Sequence, residues 1–292
     1  MNRKWWLRVW LSLLVLGAVG ALFSYTEAKY LPSGQGGTRL THLFFDSVPW
    51  SIFAAAGLGF MLSSRTSRSR TGAFVTGDRV LRHDGGFMLG HWTLALSCVV
   101  LLATGFGLGL FVVPRVFPQS QWTAFLFNLH FVAALYFVFG FFYWAGNMIV
   151  SPKELKESLP DKNSPREAVL HYAHLFGLTK RTVEASKFHA SERLAFPLAV
   201  VTTLVIVVTG LFKVAARFVL MPEQFVYGMT FAHDLFSVVM LFFLLAHVTL
   251  GSVAPWSWPL LRSALTGYVS REYAEKEHPG WMKELEEGQK HG

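Results

Sequence analysis

The sequence predicts an all-α integral membrane protein, and three observations carry that expectation. Of 292 residues, 52% are hydrophobic and only 15% charged, with 27 Phe and 10 Trp. The apolar residues are gathered into six long blocks that few charges interrupt. Lys and Arg lie between the blocks, where membrane topology accounts for them, so the formal net charge of +8 calls for no nucleic-acid partner.

The blocks run over residues 6–26, 41–63, 87–113, 121–149, 194–216 and 225–254, each read as a helix able to cross a hydrocarbon core of about 30 Å. The first lies in MNRKWWLRVWLSLLVLGAVGALFSYTEAK, which also has the basic lead, apolar core and small-residue end of a secretory signal peptide. Cleavage after Ala28 and retention as an anchor leave the same orientation downstream. The second block carries His42 and Asp46 one helical turn apart. Between the later blocks lie an Arg-rich loop, SSRTSRSRTGAFVTGDRVLRHD, and a polar stretch over 151–188 sized for a small docking surface. The expected organisation is a helix pair over 1–64, a four-helix core over 65–255 and a tail over 256–292.

Residues 1–8, 65–84, 150–193 and 256–292 hold 21 Lys and Arg, while the alternate connections hold only Lys29, Arg39, Arg115, Lys213 and Arg217. Positive charge is retained on the cytoplasmic side, which places both termini and the two long loops there. Cys98 is alone in an apolar helix and reads as a small core residue, so the chain offers no thiolate cluster ligation, no disulfide and no Cys-x-x-Cys-His attachment.

Histidines then stand out. In FAHDLFSVVMLFFLLAHVTLG, His233 and His247 are fourteen residues apart, a rise of about 21 Å with the two side chains within ~40° of one face. His130, in FNLHFVAALYF, matches His233 in depth from the periplasmic side; His91, in LGHWTLAL, matches His247 from the cytoplasmic side. An imidazole in lipid needs partners for both nitrogens. Bis-histidine ligation of haem iron supplies one, leaving the other nitrogen to donate to a polar neighbour. The plainer reading makes each His a satisfied helix–helix or interfacial residue. A single transition-metal site fits less well, because the pairs are too far apart to converge and no carboxylate or thiolate joins them.

An internal repeat points the same way. RHDGGFMLGHWTLALSCVVLLATG and KFHASERLAFPLAVVTTLVIVVTG run from Arg82 and Lys187 to Thr104-Gly105 and Thr209-Gly210, and His130 and His233 follow the threonines by 26 and 24 residues. Gly105, Gly140 and Gly210 suit a flat macrocycle between helices and equally suit close packing.

With GHW, NLH, FAH, LAH and the tail TGYVSREYAEKEHPGWMKEL in view, residues 78–285 resemble the di-haem cytochrome b, or gamma, subunits of respiratory formate dehydrogenases, which are related to the cytochrome b of nickel–iron hydrogenases. The resemblance implies a four-helix transmembrane di-haem cytochrome b bundle, to which this chain adds two N-terminal transmembrane helices, in a multi-pass protein of the bacterial cytoplasmic membrane with its C-terminus in the cytoplasm. It implies two haem b groups, one on His130 and His233 and one on His91 and His247, with His247 the ligand near the quinone. The family's Lys-Tyr-Asn-Ala-Gly-Gln-Lys element of the quinone pocket falls on KFHASER, residues 187–193, where His189, Ser191 and Glu192 depart from it; Asp234 likewise replaces a small residue.

The implied function is electron transfer. A periplasmic iron–sulfur subunit, itself fed by a catalytic molybdenum or tungsten subunit, supplies electrons that pass through the two haems to menaquinone or ubiquinone near the cytoplasmic face. The cytochrome b of a hydrogenase or another periplasmic oxidoreductase, or a haem-free anchor or transporter, is the alternative. His189 and Glu192 are candidate quinone-site residues or, equally, a helix-start acid and a solvated neighbour. Asp234 reads as a polar group beside a ligand, a proton site or a water-reached interfacial acid. His83, His171, His174, His278 and His291 read as solvated.

Overall fold

The computed structural model describes residues 3–30, 43–67, 75–110, 113–116, 120–181 and 185–290. In chain order the helices are α1 (Arg3–Tyr30), α2 (Leu43–Ser47), α3 (Ser51–Ser67), α4 (Gly85–Leu108), α5 (Ser120–Val150), α6 (Pro152–Ser158), α7 (Ser164–Leu175), α8 (Ala190–Ala215), α9 (Glu223–Val248), α10 (Trp258–Thr266), α11 (Arg271–Glu277) and α12 (Pro279–Lys290). Three short strands, β1 (Val75–Thr76), β2 (Arg79–Leu81) and β3 (Tyr268–Ser270), complete the elements.

Among the described residues four helices are long and apolar enough to cross a membrane: α4, α5, α8, and α9 with its extension to Val253. They carry the last four blocks of the sequence. The second block departs from expectation. It is interrupted at Val48-Pro49-Trp50, leaving a five-residue α2 and a 17-residue α3, because proline has no N–H for the helical ladder and disfavours helix in the residue before it. The described apolar part of α1 is Arg8–Leu22. His42 and His291 lie outside the described residues, as does the side chain of Asp46.

Two compact units are present. The first comprises Met1–Thr66, Leu89–Asn147 and Thr203–Leu241. Its helices approach closely because small residues sit at the contacts. A Cβ at Gly59 of α3 would strike the Phe139 carbonyl oxygen of α5, and one at Gly140 of α5 would lie 3.1 Å from Leu94 N of α4. The N-terminal helix packs on α5, where the Tyr136 hydroxyl donates to the Leu13 carbonyl at 2.6 Å beside Gly17. Polar side chains within these helices satisfy themselves one turn back: Ser97 donates to the Thr93 carbonyl at 2.7 Å and Ser237 to the His233 carbonyl at 2.7 Å.

The second unit comprises Ser67–Met88, Met148–Thr202 and Phe242–Gly292. The Arg-rich loop and the tail, expected only as a loop and a tail, fold together here. Strand β2 pairs antiparallel with β1 and with β3, in the register Val80 opposite Val75 and Val269. Val80, Val269, Ala274, Trp281 and Met282 form a core. Gly267 makes the approach to β3 possible: its φ is +89°, and a Cβ there would sit 2.6 Å from the His83 carbonyl. Its own carbonyl accepts from the Arg82 and His83 backbone N–H groups at 2.9 and 3.0 Å. The polar stretch after α5 is helical too, as α6 and α7.

Candidate functional site

In the first unit, His130 of α5 and His233 of α9 line one cavity of about 400 Å³, together with Gly105, Phe106, Phe127, Phe137, Gly210 and Met240 among others. The volume falls in the range of small-molecule and cofactor sites. Each imidazole is held by a threonine of the repeat. Thr104 Oγ1 lies 2.8 Å from His130 Nδ1, and Thr209 Oγ1 lies 3.1 Å from His233 Nδ1.

Donor accounting fixes the tautomers. A threonine hydroxyl has one proton. That of Thr104 is given to the Val100 carbonyl at 2.8 Å, and that of Thr209 to the Val205 carbonyl at 2.6 Å. The Ile206 carbonyl, 3.1 Å from His233 Nδ1, can only accept, so that nitrogen carries the proton and Thr209 Oγ1 accepts from it. The matching contact of Thr104 in the repeat assigns the same tautomer to His130. Each Nε2 is left as an unprotonated lone pair with no hydrogen-bond partner among the described residues. The glycine after each threonine borders the ring: a Cβ at Gly105 would lie 3.8 Å from His130 Cε1, and one at Gly210 3.3 Å from His233 Cε1.

The sequence left the environment of Asp234 open. The structure buries this residue and puts its Oδ1 3.9 Å from Lys213 Nζ; both residues, with Arg217, line the same cavity.

His91 belongs to the first unit, on α4, where its ring meets Trp92 edge-on at 5.4 Å. His247 belongs to the second, near the end of α9, stacked on Phe243 at 5.8 Å and 8°. Immediately after it the helix widens into a π-helix, Thr249–Val253. Such turns are frequent at functional sites, and no sequence signal announced it.

His189 and Glu192 do come together, in the second unit, with residues that were expected in solvent. Glu192 Oε2 accepts from the His189 backbone N–H at 2.7 Å, the reach-back half of a capping box at the start of α8. Glu192 is thus a helix-start acid, whereas His189 is buried and is not the solvated neighbour expected. Its two carboxylate oxygens also accept from Arg82 at 3.4 and 3.3 Å. His278 is a correction: it is fully buried, not solvated. Arg82 Nη1 donates to His278 Nε2 at 2.9 Å, and His278 Nδ1 donates to the Ser186 carbonyl at 2.7 Å. Burial, then the Arg82 guanidinium and His189, hold His278 down at about 2. The His189 ring lies between those of His171 and His278, at 4.4 Å from each. Burial depresses His189 to about 4 despite the nearby Glu192 carboxylate. His171 is half-buried and also lowered by burial, another departure from the solvated reading. Neither ring nitrogen of His189 has a hydrogen-bond partner among the described residues. His83 stacks on Phe87 at 3.7 Å, whereas His174 is exposed, its ring Nδ1 3.1 Å from the Thr179 carbonyl.

The comparisons agree with this geometry. Residues 82–267 match the prokaryotic cytochrome b561 family. The chain belongs to that family. It is also 24% identical over 201 residues, 68% of this chain and 88% of the relative, to the cytochrome b556(Fdn) subunit of the nitrate-inducible formate dehydrogenase of Escherichia coli K12. The same subunits of Escherichia coli O157:H7 and Shigella flexneri match equally. This cytochrome b561-family chain is a multi-pass membrane electron-transfer subunit related to formate dehydrogenase cytochrome b. The family implies haem b, and the residues present fit it: two neutral imidazoles with free Nε2 lone pairs border one apolar-walled cavity, each ring oriented through its other nitrogen.

Proposed function

We propose that the chain carries electrons from a periplasmic iron–sulfur subunit to quinone near the cytoplasmic face of a bacterial inner membrane, in a complex of the formate dehydrogenase type. His130 and His233 hold one haem b, and His91 and His247 hold a second. The observation that carries the reading is the pair of Nδ1-anchored imidazoles on one cavity. Haem b supplies a one-electron carrier; the chain's part is to fix the tautomer, hold each ring and exclude water. The depth match of His91 with His247 in the sequence supports the second pair.

Quinone is proposed to meet the chain at His189 and Glu192. Among the described residues neither ring nitrogen of His189 has a hydrogen-bond partner, and Glu192 joins the residue to Arg82. The N-terminal helices α1 and α3 are proposed as additional membrane spans, with domain boundaries near residues 64 and 255 and a cytoplasmic C-terminus.

An absorption spectrum with a haem-to-protein ratio tests the core of this reading: two b haems per chain are expected. His130→Ala and His233→Ala should remove one spectral component, His91→Ala and His247→Ala the other. Loss of the same component from His91 and His130 variants would refute the pairing. A complex purified through this chain should carry molybdenum or tungsten; nickel instead would move it to a hydrogenase.

A further inference from the structure

The cavity that holds His130 and His233 is apolar except where α8 ends. There it is lined by Lys213 and Arg217, with Asp234 from α9. Lys213 lies about 4.5 Å beyond Gly210, which borders the His233 ring, at helical rise, and Arg217 follows two residues after α8 ends and lines the same cavity. A cation in a membrane helix needs a counter-charge. Asp234 answers for Lys213 only in part: at 3.9 Å their contact is longer than the ~2.7–2.9 Å of a charge-assisted hydrogen bond, and an ammonium has three donors.

Resting on the haem reading above, we propose that Lys213 and Arg217 form an anion subsite for the two propionate carboxylates of the haem held by His130 and His233. The macrocycle is then seated with its carboxylate edge toward the C-terminal end of α8. Two carboxylates entering an apolar bundle carry a desolvation cost that two cations offset. Asp234 holds the Lys213 ammonium near the rim beside the ligand His233. Removing either cation should stabilise the oxidised iron, and removing the Asp234 charge the reduced one.

The test uses full-length protein in detergent or nanodiscs, grown on 5-aminolevulinate carrying carbon-13 at its carboxyl carbon so that the haem propionates are labelled. Haem content is measured first. Redox-difference infrared spectra should show label-sensitive carboxylate bands that shift in Lys213→Gln and in Arg217→Gln. Redox titration should show the component assigned by His233→Ala moving to lower potential in both variants and to higher potential in Asp234→Asn, with the other component unmoved. Should Lys213→Gln bind no haem, Arg217→Gln carries the same measurement. Unshifted labelled bands in haem-loaded variants would overturn the subsite while leaving the histidine ligands in place. A His233→Ala protein that keeps every haem component would overturn the ligand assignment, and the subsite with it.

Discussion

Replacing Thr104 by Val, which keeps the shape and removes the hydroxyl, should weaken haem retention at His130 far more than Thr209→Val does at His233. The difference is written in the acceptors. Among the described residues, Thr104 Oγ1 is the acceptor for His130 Nδ1–H, at 2.8 Å, whereas His233 Nδ1–H has both Thr209 Oγ1 and the Ile206 carbonyl, each at 3.1 Å. Leaving a buried N–H without an acceptor costs roughly 1–3 kcal/mol. Loss of such an orienting partner typically weakens metal binding by about 10–100-fold. Thr104→Val should fall in that range, and Thr209→Val should stay below about tenfold because the Ile206 carbonyl remains. Val also removes the donor to the Val100 carbonyl, but that oxygen keeps its helical partner, so the helix itself should be spared. The assay is the rate of haem transfer to excess apomyoglobin, with the loss followed in the reduced alpha band; Thr104→Ser should restore retention. Equal losses in the two variants, or a greater loss from Thr209→Val, would refute the donor accounting and the tautomers that follow from it.

The glycines make a parallel contrast: Gly210→Ala puts a Cβ 3.3 Å from His233 Cε1, and Gly105→Ala one 3.8 Å from His130 Cε1. Only Gly210→Ala should shift the spectrum of the haem, and equal effects would count against the ring positions. Acid should loosen the tail. His278 and His189 sit at about 2 and about 4 when folded against an ordinary 6.5. The opened state therefore binds more protons below pH 6.5; the contribution is complete at pH 7 and is lost as pH falls, by about 1.4 kcal/mol for each residue at pH 5.5. Protection factors of the amides in β2, β3 and α11, taken against the intrinsic exchange rate at each pH, should fall between pH 7.5 and 5.5, and unchanged protection would contradict the buried neutral state. Finally, His189→Ala with Glu192→Gln should keep both haems and lower the ratio of quinone to dye activity in the assembled complex. An unchanged ratio in haem-loaded protein moves the quinone site elsewhere.

Much of the fold was legible because lipid demands it. Four blocks became α4, α5, α8 and α9, since a long uncharged segment that must satisfy its own backbone has little alternative to helix. The interruption at Val48-Pro49-Trp50 was legible too, in the proline, but the run of apolar residues around it outweighed a single breaker. His278 was misread for a different reason. A histidine among Glu, Lys and Pro looks solvated in one dimension, and only the pairing of β3 with β2 brings Arg82 and the Ser186 carbonyl to its two nitrogens. The same folding made the tail sequence informative, because Gly267, His278 and Trp281 are each tied to a buried contact.

The repeat supplies the last step. Its Thr-Gly ends were visible as a pattern, and the structure gives the pattern a chemical content: the hydroxyl, already committed to its own helix, can only accept, and the following glycine leaves room for the ring. A threonine placed 24–26 residues ahead of a histidine thus sets the tautomer that a haem iron needs. His91 and His247 have no Thr-Gly pair at that interval, where the chain reads Arg65-Thr66-Ser67 and Met221-Pro222-Glu223. Thr66 stands 25 residues ahead of His91 without a following glycine, and no threonine stands at that interval ahead of His247. For His247 the neighbouring features are a stacked Phe243 and a π-helix in place of a threonine one helix away. The Thr-Gly ends therefore mark His130 and His233, which share one cavity, apart from His91 and His247.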